Sequence, residues 1–184
     1  VILYMKTLKN EAKPGTRWQY NTGETNLIGV LVAKATGRNL SEYLSEKVWQ
    51  PYGMTSDAVW ILNDGGNEIA GCCVSATLRD YALFGQFAME GGKANGVSVV
   101  PDGWFAKAGT KQADIGNPGH GYGYQWWTYD DRSFAAQGIF GQGIFIDPAR
   151  RLVIAGNGNW PTASPADLKQ QRDSFYRAVQ NHYD

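Results

Sequence analysis

Cysteine is scarce. The chain of 184 residues holds only Cys72 and Cys73, side by side, and its only histidines are His120 and His182. With no Cys-x-x-Cys and no His/Cys cluster, a structural zinc site is not indicated, and no metal or organic cofactor is expected. Neighbouring cysteines bond only through strained geometry, so free thiols are expected, and these favour a reducing, cytoplasmic compartment slightly. An excess of either charge is also missing. Lys+Arg 17 cancels Asp+Glu 17, which argues against nucleic acid or an anionic membrane as a partner. No apolar run is long enough to span a bilayer. The opening Val1-Ile2-Leu3-Tyr4-Met5-Lys6 has no charged n-region, cleavage site or initiator Met. It reads as mid-protein sequence, so the true N-terminus and any targeting signal are expected to lie outside the chain.

What is present fits one globular domain over residues 1–184, with 43% hydrophobic and 18% charged residues. Aromatics are abundant at 13%. A heavy core is the plainer explanation; a pocket wall built from Trp18, Trp126, Trp127, Phe140 and Trp160 is the alternative. Residues 1–110 read as mainly helical. Asn21, with Glu24 three residues on, starts a helix that is apolar nearly all round, is expected to be buried on most sides, and ends at Gly37. Asn39 and Glu42 repeat the cap signal for a second helix that Pro51 stops. Residues 52–70 read as a long loop. Ser75 caps a helix to about Met89, with Leu78, Tyr81, Phe84 and Ala88 inward, and Pro101 opens another to about Ala108.

From 111 to 184 the pattern changes to a sheet plus a C-terminal helix. Alternation through Tyr122, Tyr124, Trp126 and Thr128 predicts one strand. Ser133–Gly138, Gln142–Asp147 and Leu152–Gly156 predict three more, joined by short turns as antiparallel neighbours. Asp167–His182 carries Leu168, Gln171, Phe175, Ala178 and Val179 at helical spacing. The fold class is α+β: about four antiparallel strands over residues 121–158, packed by a C-terminal helix and preceded by a helical region.

Few residues point to chemistry. Tyr20 in Tyr20-Asn21-Thr22 is a candidate general base, because a phenol beside a cation can lose its proton. A tyrosine packed before a helix, with Asn21 or Thr22 as cap, explains the triplet equally simply. No Gly-x-Ser-x-Gly elbow exists. His120 reads as a solvated loop residue, and Cys72 and Cys73 as small core residues.

The stretch Pro14-Gly15-Thr16-Arg17-Trp18-Gln19-Tyr20-Asn21-Thr22-Gly23-Glu24-Thr25-Asn26-Leu27-Ile28-Gly29 closely resembles the second-motif region of the class C β-lactamase-like serine hydrolases. This superfamily includes penicillin-binding proteins, family VIII carboxylesterases and 6-aminohexanoate-dimer hydrolases. Gly121-Tyr122-Gly123-Tyr124-Gln125-Trp126-Trp127 is similar to a strand lead-in of the family, and Gly138-Ile139-Phe140-Gly141-Gln142-Gly143-Ile144-Phe145-Ile146-Asp147-Pro148 to the hairpin after its third motif. The resemblance covers Pro14 to the C-terminal helix and is closest to the esterase and nylon-oligomer-hydrolase branch. It implies a partial β-lactamase/transpeptidase-like fold, and a serine hydrolase of esters or linear amides that works through an acyl-enzyme.

Residue by residue, the resemblance makes Tyr20 the proton-shuttling tyrosine and places Thr22 where relatives have Asn or Ser. Ala136-Gln137-Gly138 falls in place of Lys-Thr-Gly, and Ile139 donates its backbone N–H to the oxyanion hole. Cys72 and Phe140 fall among substrate-lining positions. Ala136 removes the cation that β-lactamases use to hold a substrate carboxylate, so an ester or linear amide is favoured over penicillin. No serine among Ser41, Ser45, Ser56, Ser75, Ser98, Ser133, Ser164 and Ser174 is followed three residues later by Lys. In the family the Ser-x-x-Lys helix precedes the tyrosine, so it is expected upstream of Val1, on a missing N-terminal segment that also completes the sheet. Without that segment an open sheet edge and an exposed apolar face are expected. A non-catalytic binding module on the same scaffold, or an inactive fragment, is the alternative reading.

Overall fold

The computed structural model describes residues 2–183, grouped into two compact units that divide between Ala76 and Thr77. In the first unit, α1 (Ile2–Met5) leads through an irregular stretch to α2 (Thr22–Thr36). The cap is the expected one: Asn21 Oδ1 accepts the N–H groups of Gly23 at 2.9 Å and Glu24 at 3.3 Å, satisfying two of the donors that a helix start leaves open. Gly37 closes the helix in the left-handed region at φ 68°, where a side chain would be strained. The expectation that α2 is buried on most sides fails. Only Gly29 is buried, while Ile28 and Leu31 stand 49% and 68% exposed. Apolarity all round calls for cover on every face, and the Ile28/Leu31 face is only partly covered by the described residues.

The next helical stretch runs as α3 (Leu40–Leu44), a π-helical turn (Ser45–Trp49) and α4 (Gln50–Tyr52). Pro51 therefore does not stop it. The π-turn has already replaced the α-ladder, Gln50 N–H reaching back to Ser45 C=O, so the missing N–H of Pro51 breaks no α-type bond. Gly53, at φ 83°, ends the stretch. The expected loop over 52–70 contains a strand. β1 (Val59–Trp60) pairs antiparallel with β2 (Val74–Ser75), and a bridge joins Leu62 to Glu68.

The second unit opens on α5 (Leu78–Met89). Thr77, not Ser75, is its cap: Thr77 Oγ1 accepts Asp80 N–H at 3.2 Å and donates to Asp80 Oδ2 at 2.7 Å. Two donors are satisfied reciprocally, and that arrangement wins over a lone serine two residues earlier. The inward face is Asp80, Gly85, Phe87 and Ala88, whereas Leu78 is 48% exposed. A hairpin follows, β3 (Lys93–Ala94) and β4 (Val97–Ser98), then α6 (Trp104–Ala108).

The main sheet has five antiparallel strands in sequence order: β5 (His120–Tyr122), β6 (Trp127–Tyr129), β7 (Phe134–Gln137), β8 (Gly143–Asp147) and β9 (Leu152–Gly156). The single strand predicted through Tyr122–Thr128 is thus two strands and a turn. Gln125 sits at φ 65°. Gly123 lies so close to Ala108 that a Cβ there would come within 1.9 Å of the Ala108 carbonyl oxygen. His120 belongs to β5 rather than to a solvated loop, its ring edge-on to Tyr129 at 5.1 Å. β9 is an edge strand, and no strand among the described residues pairs with its outer side.

Alternation along β8, buried at every residue, sends Ile144 and Ile146 to one face and Gly143, Phe145 and Asp147 to the other. α5 packs on the first face. A Cβ at Gly85 would come within 2.6 Å of Val153 Cγ1 and 2.7 Å of Ile144 Cγ2, so the helix lies as close as glycine allows. Gly85→Val in the full-length protein is expected to cost about 3 kcal/mol by overpacking, read as a lower urea midpoint at unchanged m-value.

The other face carries α7 (Ala166–His182). Tyr176 stacks on Phe145 with ring centroids 4.6 Å apart, an arrangement worth about 1 kcal/mol beyond area burial. The inward stripe of α7 is Arg172, Tyr176 and Gln180 rather than the predicted apolar set, and Phe175 is 56% exposed. Gln180 Nε2 donates to buried Asp147 at 2.6 Å and to Asp131 at 3.1 Å. A stripe chosen by apolarity misses a face that binds through polar groups.

Asp131 carries a testable consequence. Desolvation pushes its carboxyl up, but hydrogen bonds from Ser133 Oγ–H and N–H, Gln180 and Arg177 outweigh it and hold the pKa at about 2, below its ordinary 3.8. A folded-state value below the unfolded one gives stability that is complete above about pH 4 and is lost as pH falls towards 2. Asp131→Asn is expected to flatten this acid limb in pH-dependent thermal melts and to leave the slope above pH 6 unchanged.

Candidate functional site

The sequence-predicted residues fall into two groups, one in each unit. In the first unit Tyr20 is 52% exposed and lies directly before the Asn21 cap of α2. The triplet is therefore both a helix start and a way of presenting a phenol: Asn21 takes up the capping role, and Tyr20 keeps its ring at the surface. Thr22 occupies the first helical position. Gly71 backs directly onto it, since a Cβ there would meet Thr22 Cγ2 at 2.6 Å and Asn26 Nδ2 at 2.8 Å. Gly71 N–H also donates to Asn26 Oδ1 at 3.1 Å. The Gly71–Cys73 segment is thereby seated against the first turn of α2, which brings Cys72 near Thr22.

Cys72 and Cys73 are bonded to each other, with Cα atoms 3.7 Å apart. The expectation of free thiols, and of small core residues, is corrected. Cys73 adopts φ 81°, which turns adjacent side chains towards one another, and Cys72 is exposed. With both thiols bonded, Cys72 and Cys73 no longer point to a reducing compartment. An open groove of about 460 Å³ on this unit is lined by Ile2, Leu3, Val30, Ala33, Leu40 and Glu68 among others. Tyr20, Thr22 and Cys72 do not line it.

In the second unit Ala136, Gln137, Gly138, Ile139 and Phe140 run from the end of β7 into the turn before β8. Ala136 pairs with Ile144 and Gln137 with Gly143, so Gln137 points to the α7 side and Ala136 to the α5 side. The turn is held at both shoulders. Gly138 N–H donates to Gln142 C=O at 2.8 Å, Ser164 N–H to Ile139 C=O at 2.6 Å and Trp160 N–H to Phe140 C=O at 3.0 Å. Phe140 N–H reaches Gln142 Oε1 at 3.2 Å. Between these fixed groups the N–H of Ile139 donates to no acceptor among the described residues, and Ile139 is 54% exposed. An unpaired N–H on a braced, exposed turn can receive an anionic oxygen with little reorganisation.

The aromatic wall proposed from sequence divides. Trp126 is core, edge-on to Phe105 and Phe134 at 6.2 and 5.1 Å. Trp127 meets Tyr122 edge-on at 5.0 Å. Phe140, 40% exposed, and Trp160 border the turn, with Gly141 pressed on the Trp160 ring. Trp18 belongs to the other unit. Arg172, not among the sequence-predicted residues, has a side chain only 9% exposed. It donates through Nη2 to Gln137 Oε1 at 2.8 Å and lies over the Trp160 ring at 5.5 Å. Its position four residues before Tyr176 on one helical face was the available signal. Among the described residues no group of His, Cys, Asp and Glu is arranged to hold a metal, and no helix is long and apolar enough to cross a membrane.

The β-lactamase family model matches residues 2–175. A 6-aminohexanoate-dimer hydrolase of Paenarthrobacter ureafaciens is 31% identical over 169 residues, which are 86% of this chain and 43% of that protein. A solved structure from Bacillus anthracis, assigned as a 6-aminohexanoate-dimer hydrolase, superposes with TM-score 0.83 at 28% identity, over 95% of this chain and 46% of that one. A β-lactamase structure from Mycobacterium bovis gives TM-score 0.71 at 24% identity, over 94% of this chain and 66% of that one, and it shares the fold. The chain spans less than half the length of the two hydrolase relatives.

Proposed function

Because the chain belongs to the β-lactamase family of hydrolases, we propose that it forms part of a serine hydrolase that cleaves carboxylic esters or linear amides through an acyl-enzyme. The nucleophile is a serine of a Ser-x-x-Lys helix on a segment outside these residues, since no such motif occurs among them. The serine Oγ attacks the substrate carbonyl, and the lysine one turn on takes up its proton. Tyr20 relays that proton from the lysine to the leaving group, and Thr22 hydrogen-bonds the lysine or the substrate. The N–H of Ile139 and that of the serine hold the oxyanion. Water then hydrolyses the acyl-enzyme and returns the serine.

The observation that carries this reading is the Ile139 N–H, unpaired on a turn whose neighbouring carbonyls are both tied down. Ala136 supports the choice of substrate class. A methyl group beside that turn cannot neutralise a carboxylate, so an uncharged ester or a linear amide suits the strand better than a penicillin. The unpaired edge of β9 suits a further strand from that segment of the same protein. The full-length protein is expected to hydrolyse p-nitrophenyl esters and a linear aminohexanoate amide at least 100-fold faster, in kcat/KM, than a chromogenic cephalosporin, a gap of about 2.7 kcal/mol. Preference for the cephalosporin would overturn the substrate assignment.

A further inference from the structure

We propose that Arg172 is a positioning residue that holds the Ile139 N–H in place from both sides, and this rests on the oxyanion role given to that N–H. Six contacts, all within the second unit, converge on it. Arg172 Nη2 donates to Gln137 Oε1 at 2.8 Å, and Gln137 Nε2 donates to Tyr129 OH at 2.9 Å. The amide of Gln137 is therefore engaged at both ends, two residues before Ile139. On the other flank the guanidinium lies over Trp160 at 5.5 Å, and Trp160 N–H holds the carbonyl of Phe140, one residue after Ile139. Gly141 abuts the same indole ring, at 2.6 Å from where its Cβ would stand. The guanidinium also lies 5.9 Å over Tyr176, in the stack under β8.

Energetics point the same way. A guanidinium with a side chain only 9% exposed is costly to bury unless its donors are used. The one carboxylate within ion-pair reach among the described residues is the adjacent Asp173, at 3.1 Å. Nε and Nη2 both donate to Asp173 Oδ1, at 3.2 and 3.1 Å, Nη2 also donates to Gln137, and the guanidinium lies over the indole, a combination that a lysine cannot reproduce. Arg172 thus links the end of β7 to the 158–164 segment, and the turn carrying Ile139 N–H lies between those two anchors. Gln137, in place of the threonine of the family's triplet, is turned to α7 and acts here as a tether.

The test compares Arg172→Met, Arg172→Lys and Gln137→Leu in the full-length protein with a p-nitrophenyl ester. Arg172→Met is expected to lower kcat about 10-fold or more while KM moves less than threefold. Arg172→Lys should restore little of it, and Gln137→Leu should give a smaller fall of the same kind. The double variant should be no worse than Arg172→Met alone, because both remove one tether. A lower melting temperature with kcat unchanged would make Arg172 purely structural. A raised KM with kcat unchanged would make it a substrate-binding cation. Either result overturns the proposal. Should Arg172→Met fail to fold, Gln137→Leu decides: unchanged kcat counts against the tether. Replacing the amide of residue 139 by an ester separates the two claims. If that replacement leaves kcat intact, the oxyanion assignment itself is wrong; if it lowers kcat while the Arg172 variants do not, only the positioning role fails.

Discussion

Tyr20→Phe in the full-length protein is expected to lower kcat for an ester or linear amide by about 10²- to 10⁴-fold, the usual contribution of a placed general acid–base group. Phenylalanine keeps the ring and removes only the hydroxyl. The helix start depends on Asn21, whose Oδ1 accepts the N–H groups of Gly23 and Glu24, so α2 stays capped. The loss is expected in kcat and kcat/KM together, because the proton moves in the transition state. Asn21→Ala gives the converse pattern. It removes the cap at a cost of about 1 kcal/mol, read in the melting temperature, with a much smaller effect on kcat. If Tyr20→Phe changes stability and leaves the rate alone, the tyrosine is only the residue before a helix.

Replacing the backbone amide of Ile139 by an ester linkage is expected to lower kcat by about 10²- to 10³-fold, the range for losing one oxyanion donor. The change keeps the side chain and turns N–H into O. Folding loses little, because that N–H has no acceptor among the described residues. The weaker carbonyl it creates at Gly138 serves only the 3.3 Å bond from Gly141 N–H. A side-chain substitution at 139 is the control: Ile139→Val retains the N–H and should retain kcat.

Much of the fold was legible because local rules and packing agree there. Asn21 and Gly37 bracket α2 as their side-chain chemistry demands. The turns at Gly141 and Pro148–Arg150 divide three strands that pair in the predicted order. Where tertiary contacts decide, the reading failed. Gly123 against Ala108 bends what alternation presents as one strand. The polar stripe Arg172, Tyr176 and Gln180 faces inward, because Gln137, Asp131 and Asp147 await it on the sheet. The disulfide between Cys72 and Cys73 depends on the left-handed backbone of Cys73, which no composition argument foresees. Of the proposed site, Tyr20-Asn21-Thr22 and the strand before Ile139 stand out in the sequence as patterns. The brace around Ile139, made by Ser164, Trp160 and Arg172, does not, since its members lie more than 20 residues away in sequence from the group they hold.

The most direct measurement is active-site labelling of the full-length protein with a fluorophosphonate, followed by peptide mapping of the adduct. The expected result is one adduct per molecule, on the serine of a Ser-x-x-Lys outside these 184 residues, formed far more slowly in Tyr20→Phe. An adduct on Ser41, Ser75, Ser133 or any other serine of this chain, or ester hydrolysis with no adduct at all, would contradict the account.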